Sequence, residues 1–334
     1  MRPRARSHRA GAGPVTPAAA PAAPAALNAR FGLGTELAFR CGPGPLVYAD
    51  VANDQARATL CLQGAQLLSW QPRAAASPVI WLSAAAQAAP GRPLRGGVPV
   101  CWPWFGPHAG GALPSHGFAR NLDWQVLASG RAGGATVLVM GLQDSERTRA
   151  AWPHAFALQL RVEVGAELGF ELASTNRGRD DFLLGEALHS YFRIGDIGAV
   201  RVEGLETCAY VDSAAAARRG RQQGALGFDG EFDRVYLDVP GMARIVDPGL
   251  GRCIDVHQTG ARSTVVWNPW ADKAARLADL GPGDRGQGGW REMLCVESGN
   301  ALDDAVLVPA GTTHRMTARI VVTALPDDPP RAGR

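Results

Sequence analysis

Strict alternation of apolar and polar side chains is the feature that most constrains the fold of this chain. Apolar residues occupy every second position in 158–164, and the pattern returns in 168–172 after a turn at 165–167. Residues 315–322 alternate in the same way. Because successive side chains of a β-strand point to opposite faces, these runs predict half-buried strands. The first two runs predict an antiparallel hairpin.

Short apolar runs bounded by Gly, Pro, Asn and Asp recur along the rest of the chain. Further strands are predicted at 35–40, 46–51, 57–62, 65–70, 123–129, 136–142, 199–203, 242–246, 252–257, 263–267 and 292–296. Two short helices are predicted, one at 145–152 after a cap at Asp144 or Ser145, and one at 270–279. Many short strands without β–α alternation favour a sandwich or barrel. We therefore predict an all-β protein built as one large antiparallel β-sandwich over residues 28–324.

The two ends of the chain differ from this body in composition. Residues 1–27 are rich in Pro and Ala, and residues 325–334 are rich in Pro, so both are predicted to be disordered tails. Proline interrupts the N-terminal segment too often for a secretory signal or a membrane span. The net charge of +3 is spread along the chain, which argues against a nucleic-acid partner.

The cysteine and histidine spacing argues against a metal site. The six cysteines are scattered without a CxxC pair, and the histidines show neither HxH nor HExxH spacing. We expect free thiols in a reducing compartment, hence a cytoplasmic protein, and no catalytic metal.

The stretch Leu94–Arg120 combines Trp, Gly, Pro and His with an arginine near each end. Rigid apolar walls with few polar groups are typical of a small-molecule site. Arg95 and Arg120 could together bind a phosphate or carboxylate, or they could form ordinary salt bridges. His116 could donate to a sugar hydroxyl or serve only as a turn residue.

Three further residues are candidates for proton transfer or hydroxyl binding. His189, in ALHSYF, could be a general acid or base or a hydrogen-bonded core histidine. Glu297 follows an apolar run and could be a base at a cleft edge, or a strand-end carboxylate facing water or paired with an arginine. Asp233 lies among other charged residues, where a solvated face is the simpler interpretation.

Taken in order, several segments resemble the aldose 1-epimerase superfamily, and within it the hexose-6-phosphate mutarotase branch. The resembling segments are GAQLLSW at 64–70, LRGGVPVCWPWFG at 94–106, LPSHGFARNLDW at 113–124, WPHAFAL at 152–158, ALHSYF at 187–192, DRVY at 233–236, VVWNPW at 265–270 and CVESG at 295–299. Each segment alone is a weak match, whereas the ordered set covers about 30–324 and is specific.

The resemblance implies a galactose mutarotase-like β-supersandwich with a cleft across one sheet. It implies interconversion of the α and β anomers of a hexose 6-phosphate such as glucose 6-phosphate, without metal or organic cofactor. By motif position, His189 would be the general acid and Glu297 the base. Arg95 and Arg120 would contact the substrate, with its phosphate as their target, and Asp233 would hold a sugar hydroxyl.

The same resemblance places Ser115 and His116 at the substrate. Some relatives carry an amide side chain where this chain has the shorter Ser115. The expected partner is a small sugar phosphate, and the expected state is a monomer. Two alternatives remain open: an aldose 1-epimerase acting on unphosphorylated sugars, and a carbohydrate-binding β-sandwich without catalysis. Replacing Arg95 or Arg120 with alanine tests the first alternative, because it should impair activity on the phosphorylated sugar far more than activity on free sugars only if the phosphate is recognised. Ligand binding without turnover would identify the second alternative.

Overall fold

The computed structural model describes residues 23–108, 110–111 and 113–326. Within these residues the α-helices are α1 (Pro24–Phe31), α2 (Glu146–Ala151) and α3 (Trp270–Arg276). The strands in chain order are β1 (Leu37–Cys41), β2 (Val47–Ala52), β3 (Ala56–Cys61), β4 (Gln66–Pro72), β5 (Val100–Cys101), β6 (Gln125–Ala132), β7 (Ala135–Gln143), β8 (Phe156–Val164), β9 (Leu168–Asn176), β10 (Phe182–Leu184), β11 (Glu186–Leu188), β12 (Tyr191–Arg193), β13 (Arg201–Glu203), β14 (Ala209–Asp212), β15 (Arg218–Arg221), β16 (Phe232–Leu237), β17 (Met242–Asp247), β18 (Arg252–Thr259), β19 (Ser263–Asn268), β20 (Met293–Asn300), β21 (Val306–Val308) and β22 (Thr313–Ala324).

Antiparallel sheets dominate the described part of the chain, which confirms the predicted all-β class. The first eight-stranded sheet has the order β15-β14-β16-β19-β20-β11-β5, with β12 also paired to β20. The second has the order β13-β17-β18-β22-β9-β8-β7-β6. Strands β1 to β4 form a smaller meander, and β10 pairs with β21. None of the helices described is long and apolar enough to span a lipid bilayer.

The predicted hairpin is confirmed as β8 and β9, which pair antiparallel from Phe156 opposite Asn176 to Val164 opposite Leu168. Every second residue of β8 is buried, as the alternation predicts. These buried side chains join a core that contains residues from both large sheets. Burying one such aliphatic or aromatic side chain stabilises the fold by about 1.5–3 kcal/mol. The alternating runs therefore fix which face of the second sheet turns inward.

The helix predicted at 145–152 is confirmed as α2, with Ser145 as its N-cap. The Ser145 hydroxyl accepts from the Thr148 amide at 3.3 Å, and the Ser145 amide donates to the Thr148 hydroxyl at 2.7 Å. Two amide groups that would otherwise lack partners are thus satisfied. The second predicted helix is confirmed as α3, although it ends three residues earlier than expected, at Arg276.

The N-terminal boundary of the ordered chain differs from the prediction. Helix α1 begins at Pro24 and so includes residues 24–27, which the composition assigned to a disordered tail. The reason is packing, because Leu27 and Phe31 lie one turn apart and both are buried. The Asn28 side chain also exchanges two 2.7 Å hydrogen bonds with the backbone of Phe39. The C-terminal tail was predicted over 325–334, and the structure describes its first two residues, where the Leu325 amide donates to the Gly251 carbonyl at 2.9 Å. Residues 1–22 and 327–334 of the two predicted tails lie outside the described residues.

Candidate functional site

Four neighbouring strands of the first large sheet align a row of side chains. Asp233 lies opposite Trp267, and Trp267 lies opposite Cys295. Cys295 in turn lies opposite Tyr191. Directly opposed residues point to the same face of a sheet, and Glu297, two residues after Cys295, points to that face as well. The sheet therefore gathers an acid, two aromatic rings, a thiol and a second acid on one surface.

His189 joins this surface through strand register. Leu188 is opposite Ser298 in β20, and Tyr191 pairs with the same strand in the same register. His189 is consequently opposite Glu297, in a short gap between β11 and β12. The His189 Nδ1 and Glu297 Oε1 atoms lie 3.1 Å apart. The structure thus brings together the two residues that the sequence proposed for proton transfer.

Both groups are almost fully buried and remain incompletely bonded. His189 is 8% exposed and Glu297 is 1% exposed. His189 Nδ1 and Glu297 Oε1, at 3.1 Å, are close enough for an ion pair, but their contact does not have the geometry of a hydrogen bond. Among the described residues, His189 Nδ1 and Glu297 Oε2 have no hydrogen-bond partner. Buried polar atoms are seldom left unpaired, so these two atoms mark a candidate site for a polar ligand.

The electrostatics of this pair favour neutral groups. Burial raises the pKa of Glu297 well above its ordinary value, and the charge of Asp233 raises it further, while Arg120 opposes the shift. Burial lowers the pKa of His189 well below its ordinary value, and His116 and the nearby arginines lower it further. In the free protein, the surroundings therefore favour the uncharged forms of both groups, a protonated Glu297 carboxyl and a neutral His189 imidazole.

Tyr191 fixes the imidazole from one side. The two rings stack with centroids 4.7 Å apart and planes 9° apart, and Trp267 meets His189 edge-on. The Tyr191 hydroxyl accepts a 3.1 Å hydrogen bond from Arg95, and the His189 amide donates to the Pro99 carbonyl at 3.0 Å. Sequence reasoning missed Tyr191, although its place two residues after His189 on a strand-like run predicts a shared face.

The two arginines predicted to bind an anion have different partners. Arg95 Nε donates to the Asp279 carboxylate at 3.0 Å. Arg120 Nη2 donates to the Ser115 carbonyl at 2.8 Å, while its Nε is buried and has no partner among the described residues. The positive charges of both guanidinium groups lower the pKa of His189, so both arginines act on the same imidazole. Asp279 was not anticipated from the sequence.

Ser115 and His116 lie in the loop before Arg120. The Ser115 side chain is exposed, and its backbone carbonyl makes the contact with Arg120. His116 adopts a left-handed φ of 65°, and its ring packs edge-on against Phe105 at 4.8 Å. Burial, followed by Arg120 and Arg95, lowers the pKa of His116 to about 3. His116 is therefore both a turn residue and an uncharged neighbour of His189, at 5.8 Å between ring centroids.

Gly117 makes the close approach of this loop possible. Its φ is +71°, and a Cβ there would lie 1.8 Å from the Trp102 carbonyl oxygen. Only glycine fits such a position. Because Gly117 has no side chain, the loop can pack tightly against Trp102 and place His116 near His189.

Asp233 is less solvated than the charged run around it suggested. It lies 3.7 Å from Lys273, which also binds Glu231 at 2.7 Å. Burial raises the Asp233 pKa, and its charge acts on Glu297. The structure therefore brings Asp233 into the same electrostatic environment as the His189 and Glu297 pair.

Three of these residues could in principle hold a cation. One potential ligand atom each from His189, Cys295 and Glu297 lies within 4.8 Å of the other two. Nitrogen, sulfur and oxygen donors of this kind suit Zn²⁺. However, the positive charges of Arg95 and Arg120 act on His189 and oppose a dication. The donor set therefore fits an uncharged acid–base site better than a resident metal.

Two cavities lie away from the His189 and Glu297 pair. A hollow of about 560 Å³ lies on the second sheet between β8, β9, β18 and β22, and none of the predicted site residues lines it. A second hollow of about 350 Å³ lies beside α2 and the loop that carries Phe118. We locate the candidate site by its side-chain chemistry, because the first hollow offers no buried acid–base pair.

Comparison with known proteins gives a consistent result. A family model described as aldose 1-epimerase matches residues 49–320. A Salmonella typhimurium protein provisionally named glucose-6-phosphate 1-epimerase is 41% identical over 249 residues, covering 74% of this chain and 81% of that protein. A protein of the same provisional name from Cenchrus ciliaris is 36% identical over 280 residues, covering 80% and 82%. The crystal structure of a provisionally named mutarotase from Salmonella typhimurium matches with a TM-score of 0.81 at 37% identity, covering 88% of this chain and 96% of that chain.

Proposed function

The chain belongs to the aldose 1-epimerase family, and we propose that it interconverts the α and β anomers of a hexose 6-phosphate, with glucose 6-phosphate as the first candidate. The observation that carries this proposal is the buried His189 and Glu297 pair beside two arginines. The pair supplies the acid and base that anomer exchange requires. The arginines supply positive charge for an anionic substrate.

Anomer exchange needs one proton removed and one proton delivered. Glu297 takes the proton from the C1 hydroxyl while His189 delivers one to the ring oxygen, and the bond between C1 and the ring oxygen breaks as the C1 carbonyl forms. The open aldehyde rotates about C1–C2. Closure from the other face reverses both transfers, so the enzyme regains its starting state. Each group contributes roughly 10²–10⁴-fold when its pKa is close to the working pH.

The proton must be on His189 when the ring opens, whereas in the free protein it favours Glu297. Arg95 and Arg120 both disfavour a charged imidazole. An anionic phosphate bound at these arginines would offset their charge and raise the pKa of His189. Substrate binding would thereby move the pair towards its working protonation state.

The remaining predicted residues are assigned to contacts with the phosphate and the hydroxyl groups of the substrate. Arg95 and Arg120 hold the phosphate, which keeps C1 in register while the ring is open. Asp233 and His116 bind sugar hydroxyls. Ser115 acts through the backbone carbonyl that orients Arg120, and its hydroxyl is exposed to a ligand.

A rate measurement tests the proposal directly. Freshly dissolved α-glucose 6-phosphate is mixed with the protein, and the β-anomer is followed with a β-specific dehydrogenase. We expect conversion well above the spontaneous rate. A protein that binds the sugar phosphate but leaves the spontaneous rate unchanged would instead be a carbohydrate-binding module, and the proposal would be wrong.

Unphosphorylated aldoses are a second candidate substrate class. The ion pair between Arg95 and Asp279 favours this alternative, because one arginine already has a counter-ion. Arg95→Ala and Arg120→Ala separate the two cases. If the phosphate is recognised, each change should lower kcat/KM for glucose 6-phosphate by about 10- to 100-fold, as expected for loss of a charged hydrogen bond. Activity on free glucose should change much less.

We also propose that the enzyme is a cytoplasmic monomer. Its six cysteines are unpaired and five of them are buried, which suits a reducing compartment. Light scattering at several protein concentrations tests the monomer. Cell fractionation tests the compartment.

A further inference from the structure

We propose that Asp279 is a specificity-determining residue that occupies Arg95 in the free enzyme and is displaced by the phosphate of the substrate. The inference rests on the proposed function. Asp279 would act as an internal counter-ion, so that Arg95 exchanges a carboxylate for a phosphate during binding.

The first support is the geometry around Arg95. Its Nε donates to Asp279 Oδ1 at 3.0 Å, and its Nη1 donates to the Tyr191 hydroxyl at 3.1 Å. Tyr191 stacks on His189, so Tyr191 alone separates the ion pair of Arg95 and Asp279 from the proposed proton donor. The guanidinium is therefore held in place on the same side as the acid–base pair.

The second support is the uneven exposure of Arg95 and Asp279, which differs from that of the surface pair Arg219 and Asp303. Arg219 and Asp303 are both largely exposed, and such pairs are common on protein surfaces. The Arg95 side chain is only 23% exposed, whereas Asp279 is 44% exposed. A part-buried arginine is thus matched by a carboxylate on the solvent side, where an incoming anion arrives.

The third support is the way in which Asp279 is attached. Its backbone follows α3, and the next residue, Leu280, is buried and donates to the Leu277 carbonyl at 3.2 Å. Gly289 donates to the Gly281 carbonyl at 3.0 Å, which closes the following loop. The backbone is therefore anchored on both sides. Exchange requires only rotation of the exposed Asp279 side chain towards water.

The chemistry gives the exchange its direction. A phosphate dianion carries more charge than a carboxylate and can accept forked hydrogen bonds from two guanidinium groups. A neutral sugar offers no charge to replace Asp279. The carboxylate thus competes with phosphate, and removing its charge should strengthen phosphate binding.

The test uses Asp279→Asn in the full chain, with Asp303→Asn as the matched control. Inorganic phosphate binding is measured by calorimetry, and kcat and KM are measured for glucose 6-phosphate and free glucose. We expect Asp279→Asn to lower the Kd for phosphate and the KM for glucose 6-phosphate by about 2- to 10-fold. The gain should be selective, so KM for free glucose should not fall in parallel. Asp303→Asn should change none of these values.

A double variant shows whether Asp279 acts through Arg95. In an Arg95→Gln background, Asp279→Asn should have no further effect on phosphate binding. Equal or weaker phosphate binding by Asp279→Asn alone would overturn the inference, as would an undiminished effect in the Arg95→Gln background. Failure of the proposed function looks different, because wild-type protein would then fail to accelerate anomer exchange of glucose 6-phosphate.

Discussion

Two histidine–carboxylate pairs among the described residues have nearly the same separation but different hydrogen-bond partners. His189 and Glu297 are 3.1 Å apart, and His314 and Glu186 are 3.0 Å apart. Glu186 lies three residues before His189 on the same stretch of chain. The two pairs therefore have the same residue types and lie close together along the chain. Their hydrogen-bond partners must account for the contrast.

The second pair is fully bonded. Glu186 accepts from Asn300 at 3.1 Å and from Ser174 at 3.2 Å, and Ser174 in turn accepts from Trp102 at 3.0 Å. The hydrogen bond with Glu186 raises the pKa of His314 despite its burial. This network stabilises a charged imidazole and links strands of both large sheets.

At the first pair, burial decides the charge because no comparable network is present among the described residues. His189 and Glu297 each keep an unpaired buried atom, and their pKa values shift towards the neutral forms. The comparison teaches that hydrogen-bond partners, and not proximity, separate a structural pair from a reactive one. Four predictions test that distinction.

Glu297→Gln should cause the largest change, a loss of about 10²–10⁴-fold in kcat, because the base is removed while the shape of the side chain is retained. The assay is the α-glucose 6-phosphate rate measurement. Glu171→Gln, which alters an exposed pair with Arg315, is the control and should keep full activity. Wild-type kcat in Glu297→Gln would remove Glu297 from the mechanism.

Glu186→Gln should mainly destabilise the fold, by about 1–3 kcal/mol, because His314 and Ser174 lose a charged acceptor in the interior. Urea unfolding measures the effect. The exposed Glu171→Gln control should cost about 1 kcal/mol or less. A loss for Glu186→Gln no larger than that of the control would contradict the structural role assigned to this pair.

The His314 contribution to stability should depend on pH. Its pKa is raised in the folded state, so its stabilising contribution is complete below the unfolded pKa, near 6.5, and is lost as the pH rises through the folded pKa. The difference in unfolding free energy between wild type and His314→Asn should therefore shrink as the pH rises above about 6.5. A difference that grows over this range would contradict the assignment.

Glu297→Gln should also produce the smallest effect, a gain in stability on the order of 1 kcal/mol near neutral pH. The raised pKa of Glu297 means that wild type loses stability as the pH rises from the unfolded value of 4.5 towards the folded one. Glutamine carries no such cost. Thermal unfolding at pH 4 and pH 7 should show the gain only at the higher pH.

The sequence predicted the long strands better than the short ones. Strands such as β8, β9 and β22 were found because one face of each is buried, and this produces the alternation. Strand β15, Arg218–Arg221, contains three arginines and a glycine, and it pairs with β14 without any apolar pattern. Pairing with a neighbour, and not side-chain burial, defines such strands, so a single sequence carries little signal for them.

The candidate site was predictable as a set of residues but not as a geometry. His189 and Glu297 stood out by residue type, whereas their contact depends on the register of β20, which the sequence does not specify. Asp279 reaches Arg95 across 184 positions of the chain. A charged residue near the end of a predicted helix gives no sign of such a partner, so only the assembled sheet and loop reveal it.

The register of β20 limits how this scaffold can tolerate insertions and deletions. Because side chains alternate between faces, loss of one residue within Met293–Val296 would turn Glu297 to the opposite face of the sheet and bring Ser298 to face His189. A two-residue change would preserve the parity, and changes in the loop after α3 would leave it untouched. Two residues span about 7 Å along a strand, so even a change that keeps the face would move Glu297 away from His189. Length variation is therefore confined to the loop outside β20.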